Sequence, residues 1–260
     1  MISTRDHGNG PAVLLLHAFP CDGSMWEQQV FRLSKEGFRV VAPDLPGFAD
    51  SPLLADPPDL DRVAEGLIEL TDDLEISHFH LGGLSLGGYL AMALLRLAPE
   101  RIDSLMLIDT KGTTDPEAAL ANRLTVAERV VAENSTEFLV PAMMPGLIGE
   151  TSRTSRPDVV TRTEQWIRAA APTTVAWYQR AMASRPDSLV DLANFSKPAA
   201  VIYGDEDLLL SPYAEQVAMA DALPNGNLDQ VVAAGHLSAV EQPANVSEKM
   251  VEFLRGVCGS

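Results

Sequence analysis

The stretch Gly82-Gly83-Leu84-Ser85-Leu86-Gly87-Gly88 constrains this chain more than any other part of it. Residues 76–81 before it are short and partly alternating, which predicts a strand. Residues 89–98 after it are an apolar run closed by Pro99, which predicts a helix. A serine in a G-x-S-x-G context therefore sits at a strand-to-helix turn. Such a turn drives its central residue toward positive φ, which is costly for any residue with a Cβ. Gly83 and Gly87 remove the side chains that would collide there. The hydroxyl is left standing at the positive end of the following helix, where negative charge is favoured. The bland alternative is a glycine-rich turn without chemistry. A phosphate loop fits worse, since the spacing is not G-x-G-x-x-G and no Gly-Lys-Ser/Thr follows.

Hydrophobic residues make up 46% of the 260, enough for one large core or a core plus a lid. The apolar run that opens at Ala12 is far shorter than the roughly 20 residues of a membrane helix. The first residues show no apolar signal segment, so a cytoplasmic protein is expected. The formal net charge of −17 argues against nucleic acid and anionic membranes, which both require basic patches. It says little about a small-molecule pocket, which can be lined quite differently from the surface. Cys21 and Cys258 are expected as free thiols. A monomer or homodimer is the expected assembly.

Residues 12–17, 38–42, 76–81, 101–108, 199–203 and 227–232 are predicted strands. Helical periodicity at 25–36 and 59–73, and after Pro243, fills the gaps between them. Six strands alternating with helices predict an α/β fold, a parallel sheet covered on both faces. From Lys111 to about Phe195 no strand is visible. Helical segments at 117–132, 136–144, 159–170 and 173–183 lie there, separated by prolines. The expected organisation is a core of residues 1–110 and 196–260, with a helical lid at 111–195 inserted after the fourth predicted strand. Ser211-Pro212 is read as the cap and first turn of a later helix.

In a parallel sheet the working residues lie beyond the C-terminal strand ends. His17, Phe19, Asp44, Ser85, Asp109, Asp207 and His236 occupy such positions. A serine hydroxyl needs an imidazole to take its proton, and the imidazole needs a carboxylate to fix its tautomer. Ser85, Asp207 and His236 could supply all three, with Asp205 and Asp109 as other possible acids. No His/Cys/Asp cluster has metal spacing, so neither metal nor other cofactor is expected.

Taken together, these motifs resemble the α/β-hydrolase superfamily over essentially the whole chain. His17-Ala18-Phe19-Pro20 resembles its oxyanion loop, with Ala18 where glycine is commoner. Asp44-Leu45-Pro46-Gly47-Phe48-Ala49-Asp50-Ser51 resembles the D-x-x-G-x-G-x-S loop, and Ala49 replaces its second glycine. Gly83-Leu84-Ser85-Leu86-Gly87 is similar to the nucleophile elbow, Gly204-Asp205-Glu206-Asp207 to the acid loop, and Gly235-His236 with Glu241 and Pro243 to the histidine end. Pro20 with Met25-Trp26 resembles the aryl-esterase and cofactor-free haloperoxidase branch. Ala121-Asn122-Arg123 and Gly146-Leu147 resemble 3-oxoadipate enol-lactonases. The short front of the chain departs from the family, whose two leading strands are expected here to be shortened or partly missing.

The resemblance implies Ser85 as nucleophile, His236 as base and then acid, and Asp207 as its orienting acid. It implies backbone N–H groups of Phe19 and Leu86 as the oxyanion hole. Pro20, Met143, Trp166, Leu208 and Leu237 are expected to touch substrate. Phe138, Met144, Leu147, Trp177 and Tyr178 are further candidates for the lid wall, of which only a minority should reach it. His17 is expected to prop the oxyanion loop, His78 and His80 to be core or helix-facing, Asp109 to cap the turn into the lid, and Lys111 to lie on the surface. The implied activity is hydrolysis of a small to medium ester or lactone of modest polarity, with a perhydrolase side activity. A C–C bond hydrolase and a non-catalytic binding protein on the same fold are the alternatives.

Overall fold

The computed structural model describes residues 2–208 and 210–259 of the chain, so Leu209 lies outside the described residues. Seven strands form one sheet: β1 (Thr4–His7), β2 (Ala12–Leu16), β3 (Arg39–Pro43), β4 (Phe79–Leu84), β5 (Ile102–Ile108), β6 (Ala199–Gly204) and β7 (Gly226–Val231). Their order is β1-β3-β2-β4-β5-β6-β7. Every pair is parallel except β1 with β3. β4 is buried along its full length, and β2 and β5 nearly so. Strands buried on both faces need helices on both faces, and the apolar runs in the sequence reflect that.

The sheet has one strand more than the sequence predicts. β1 reads Thr-Arg-Asp-His, without an apolar face, because it is a half-exposed edge. Its side chains hold it instead: Arg5 pairs with Asp44 at 2.7 Å and Asp6 with Arg39 at 2.7 Å. β4 also starts three residues later than predicted and absorbs Gly82, Gly83 and Leu84. The ladder to β5 continues to Leu84 opposite Ile108, which draws the strand up to the turn itself.

Twelve helices complete the described chain: α1 (Glu27–Lys35), α2 (Leu60–Asp73), α3 (Leu86–Leu97), α4 (Glu117–Glu133), α5 (Leu139–Leu147), α6 (Glu150–Ser155), α7 (Pro157–Ala169), α8 (Pro172–Ala183), α9 (Leu189–Ala193), α10 (Tyr213–Ala222), α11 (Ser238–Glu241) and α12 (Pro243–Cys258). α1 packs on α12, whereas α2 packs on α3 and α3 on α9. α3 buries nearly all its residues, as its apolar sequence demands. Between β5 and β6 lie α4 to α9 and no strand. α6 and α9 escape the sequence reading because they are short, and α6 is wholly polar, Glu-Thr-Ser-Arg-Thr-Ser.

The chain runs from β2 outward to β3, then returns to the other side of β2 as β4. That reversal opens a crevice between the carboxyl ends of β2 and β4. Register then fixes what meets there. Leu16 lies opposite Gly83, and Ile108 opposite both Leu84 and Ile202. The exits of β2, β4, β5 and β6 therefore stand side by side.

Ser85 has φ 55° and ψ −110°, the strained turn that the sequence predicts. A Cβ on Gly83 would run into the backbone of Gly87, and one on Gly87 into the carbonyl of Leu16. Gly87→Ala should therefore cost more than about 2 kcal/mol, because the colliding atoms are backbone and cannot swing aside. Gly256 in α12 faces open space. Gly256→Ala should raise stability by roughly 0.5–1 kcal/mol. Urea unfolding of the two variants beside the parent checks both signs.

Candidate active site

Three strand-exit loops meet at one point. Ser85 Oγ lies 2.7 Å from His236 Nε2, and His236 Nδ1 lies 2.6 Å from Asp207 Oδ2. His236 and Asp207 are buried at 3% and 4% exposure, so water hardly screens this pair. Burial alone lowers the basicity of His236, but the Asp207 carboxylate, together with Asp109 and Glu241, more than reverses that and holds its pKa above the usual value. Asp207 is held below the usual carboxylate range: desolvation opposes its charge, and His236 and the hydroxyl of Ser211 outweigh that cost.

Ser211 is the residue that sequence reasoning missed. It does not cap the helix; Pro212 is the N-cap of α10. Ser211 is buried, and its hydroxyl donates to Asp207 Oδ2 while lying 3.2 Å from His236 Nδ1. The backbone N–H groups of Leu210 and Ser211 both donate to Asp207 Oδ1 at 3.3 Å. The carboxylate thus has donors on both oxygens. The only sequence signal is a serine four residues beyond the acid, and Ser-Pro has a commoner reading.

The other two acids have different work. Asp205 accepts the N–H of Ala233 at 2.8 Å and so faces the β7 exit, away from the imidazole. Asp109 does not cap a turn into the following helices. It has φ 42° and is fully buried, accepting the N–H of Gly204 at 2.7 Å and of Ser238 at 3.1 Å. It thereby ties the β5 exit to β6 and to the His236 loop. Burial, and then the nearby Asp207, push its pKa well above the usual carboxylate range. Glu241 clamps the same loop by accepting N–H groups of Gly235 at 2.9 Å, Leu237 at 3.2 Å and Gly149 at 2.9 Å.

Phe19 follows β2 and Leu86 opens α3, either side of the crevice. Neither N–H donates a hydrogen bond within the described chain. His17 sits beneath them, fully buried. Its Nε2 accepts the Leu45 N–H at 2.9 Å, so the proton is on Nδ1 and is donated to the carbonyl of Ala18 at 2.9 Å. Phe48 packs edge-on against both His17 and Phe19. His80 is core, bonded to Ser104 at 2.9 Å, whereas His78 is exposed beside Asp103.

A cavity of about 580 Å³ opens over Ser85 and His236. Phe138, Met143 and Leu147 are on its wall; Met144, Trp177 and Tyr178 are not. Of the five residues expected at substrate, Met143 lines it, whereas Pro20, Trp166, Leu208 and Leu237 do not. Pro20 is turned inward by the tight turn that joins the Cys21 N–H to the Ala18 carbonyl at 2.9 Å. Trp166 packs under Arg162 in a separate groove with Met25 and Pro243. Leu208 is 74% exposed, and Leu237 is wholly buried with its N–H on the Leu147 carbonyl. Lys111 is also not a surface residue: its side chain is 13% exposed and pairs with Asp115 at 2.7 Å. Among the described residues no group of three or more His, Cys, Asp or Glu could hold a metal ion. Among the described residues no helix is long and apolar enough to cross a membrane.

A largely parallel sheet with a strained serine turn beside its switch point is the architecture of α/β hydrolases. Residues 11–243 match the family described as alpha/beta hydrolase fold, and the chain belongs to that family. It is similar to a thermophilic esterase from Thermogutta terrifontis, solved with malate bound: 37% identity, TM-score 0.94, 98% of this chain and 93% of that one covered. An enol-lactonase from Burkholderia xenovorans LB400 shares the fold at TM-score 0.89 and 24% identity, over 97% and 96% of the two chains. Bromoperoxidases stand among the solved structures of this fold as well. The dihydrolipoyllysine-residue acetyltransferase component of an acetoin cleaving system from Pseudomonas putida is 28% identical over 95% of this chain. This chain spans 64% of that relative's length.

Burial lowers the His17 pKa from 6.5 to about 4. The unfolded chain takes up this proton near 6.5 and the native protein only near 4. The unfolded state therefore binds more protons in that window, and stability falls as pH drops through it. His17→Gln should flatten that slope when urea midpoints are compared between pH 4 and 6.5. Imidazole NMR should show His17 neutral at pH 5 while His236 is charged.

Proposed function

We propose that this hydrolase cleaves a small to medium carboxylic ester or lactone through an acyl-enzyme on Ser85. The observation that carries the reading is the 2.7 Å contact between Ser85 Oγ and His236 Nε2, with Asp207 2.6 Å from the other ring nitrogen. His236 Nε2 takes the Ser85 proton as Oγ attacks the carbonyl carbon. Asp207 keeps the remaining ring proton on Nδ1 and stabilises the imidazolium. The tetrahedral oxyanion is held by the unengaged N–H groups of Phe19 and Leu86, each worth roughly 10²–10³ in rate. His236 then protonates the leaving-group oxygen; its bond to the carbonyl carbon breaks as the C=O re-forms, and the alcohol departs with the acyl group left on Ser85 Oγ. Water attacks that ester by the same route in reverse, and His236 again takes the proton. Hydrogen peroxide in place of water would give a peracid, the perhydrolase side activity.

The likeness to the Thermogutta esterase supports ester hydrolysis. In this reading residues 111–195 are a lid over a core of 1–110 and 196–260. Supporting it, α4, α5 and α8 contribute residues to the cavity that Ser85 and His236 also line. The two free cysteines support a reducing, cytoplasmic setting.

A fluorophosphonate should label the chain once, and Ser85→Ala should abolish the label. Turnover of 4-nitrophenyl acetate should fall at least about 10³-fold in that variant; unchanged turnover would overturn the reading. Activity should decline on the acid side with an apparent pKa above 6.5, because His236 must be neutral to act as base. Ser211→Ala removes a charge-assisted donor from Asp207 and should lower kcat about tenfold with KM little changed. Ser211→Thr should recover most of the loss, whereas a merely structural serine would change the unfolding midpoint and leave kcat alone. A panel of esters and lactones with and without peroxide separates esterase, lactonase and perhydrolase preference.

A further inference from the structure

The cavity wall away from Ser85 is charged, contrary to the modest polarity expected from the sequence. Lys111, Asp115 and Arg123 line it, beside Asn122, Gln179 and Tyr89. Asp115 is the hub. Its Oδ1 accepts from Lys111 Nζ at 2.7 Å and Arg185 Nη2 at 2.9 Å; its Oδ2 accepts from Arg123 Nε at 2.5 Å and Arg185 Nη1 at 2.8 Å. Arg185 lies behind the wall, stacked on the ring of Tyr89. The side chains of Lys111, Arg123 and Arg185 are only 13%, 19% and 5% exposed. Three sheltered cations therefore share one carboxylate.

Glu215 is the next acid near Arg185, but it accepts from the Thr113 hydroxyl. In direct contact at this corner, three cations meet the single carboxylate of Asp115, an excess of positive charge among the paired groups. At the rim, Arg129 is already offset by Glu133 and stacks on Phe138. Sheltered charge without a counter-ion is costly, and the cost falls when an anion enters. The surplus also runs against the whole molecule, whose formal charge is −17. That outer field repels anions, so an inner cationic corner is not a by-product of composition.

We infer that this cavity selects esters or lactones that carry a carboxylate, which docks at the Lys111–Arg123 corner while the reacting carbonyl lies at Ser85. The reaction rests on the serine-hydrolase reading above; the charge preference rests on the cavity alone. Chains matched in length test it. On the acyl side, 4-nitrophenyl hydrogen adipate is compared with 4-nitrophenyl hexanoate and 6-aminohexanoate. On the alcohol side, 6-acetoxyhexanoate is compared with hexyl acetate. In at least one set kcat/KM should favour the anion by about tenfold or more, and the cation should be the poorest. Lys111→Met and Arg123→Met should each lower the anion-to-neutral ratio by at least about threefold, and added NaCl should lower it too. Separately, millimolar adipate should raise the Tm of the parent, and 1,6-hexanediol should not. Ester turnover with no anion preference in either set, and no Tm response to adipate, would overturn the inference and leave the hydrolase reading standing. A Tm response to adipate with no turnover of any ester would do the opposite.

Discussion

His236 is the piece on which the site depends. Its two ring nitrogens face Ser85 on one side and Asp207 on the other, residues that lie 151 and 29 positions away in the chain. Neither contact survives unless the loop carrying His236 is fixed to within a few tenths of an ångström. Two buried carboxylates do that fixing without touching the ring. Glu241 gathers the N–H groups of Gly235 and Leu237, and Asp109 takes that of Ser238. Both carboxylates sit where burial penalises charge. The backbone donors offset part of that penalty, and the loop cannot drift without leaving a buried carboxyl group unbonded.

The same division holds on the other side of the crevice. The loop that follows β2 is held from below by His17, whose ring joins the Ala18 carbonyl to the Leu45 N–H. Asp44, one residue earlier, ties the Gly23 N–H and Arg5, so the polar edge strand β1 is stitched to the active face. Strand ladders bring the exits together, and buried side-chain-to-backbone bonds set their final angles.

The architecture was largely legible because its signals are local. Buried parallel strands read as apolar runs, and the glycines flanking Ser85 read as a strained elbow. The order of Ser85, Asp207 and His236 also names which loops must converge. What escaped was governed by contacts rather than by pattern. β1 has no apolar face to show. Ser211 looks like a helix cap until the fold turns it toward Asp207. Lys111 looks like a solvated lysine until Asp115 captures it. The pocket wall was the least legible part. Trp166 and Leu237 are apolar residues of the right kind, and only helix packing decides whether such a side chain faces the cavity or the core. A net charge likewise averages over the surface and conceals a cationic corner inside.

The proposed hydrolysis requires that Ser85 become covalently acylated during turnover. The direct measurement is rapid-quench mass spectrometry of the intact chain mixed with a 4-nitrophenyl ester, followed by peptide mapping. One acyl group per chain is expected, located on Ser85, appearing with a burst of one equivalent of nitrophenolate and absent from His236→Ala. Full ester turnover with no acyl group on Ser85, or with the acyl group on another residue, would contradict it.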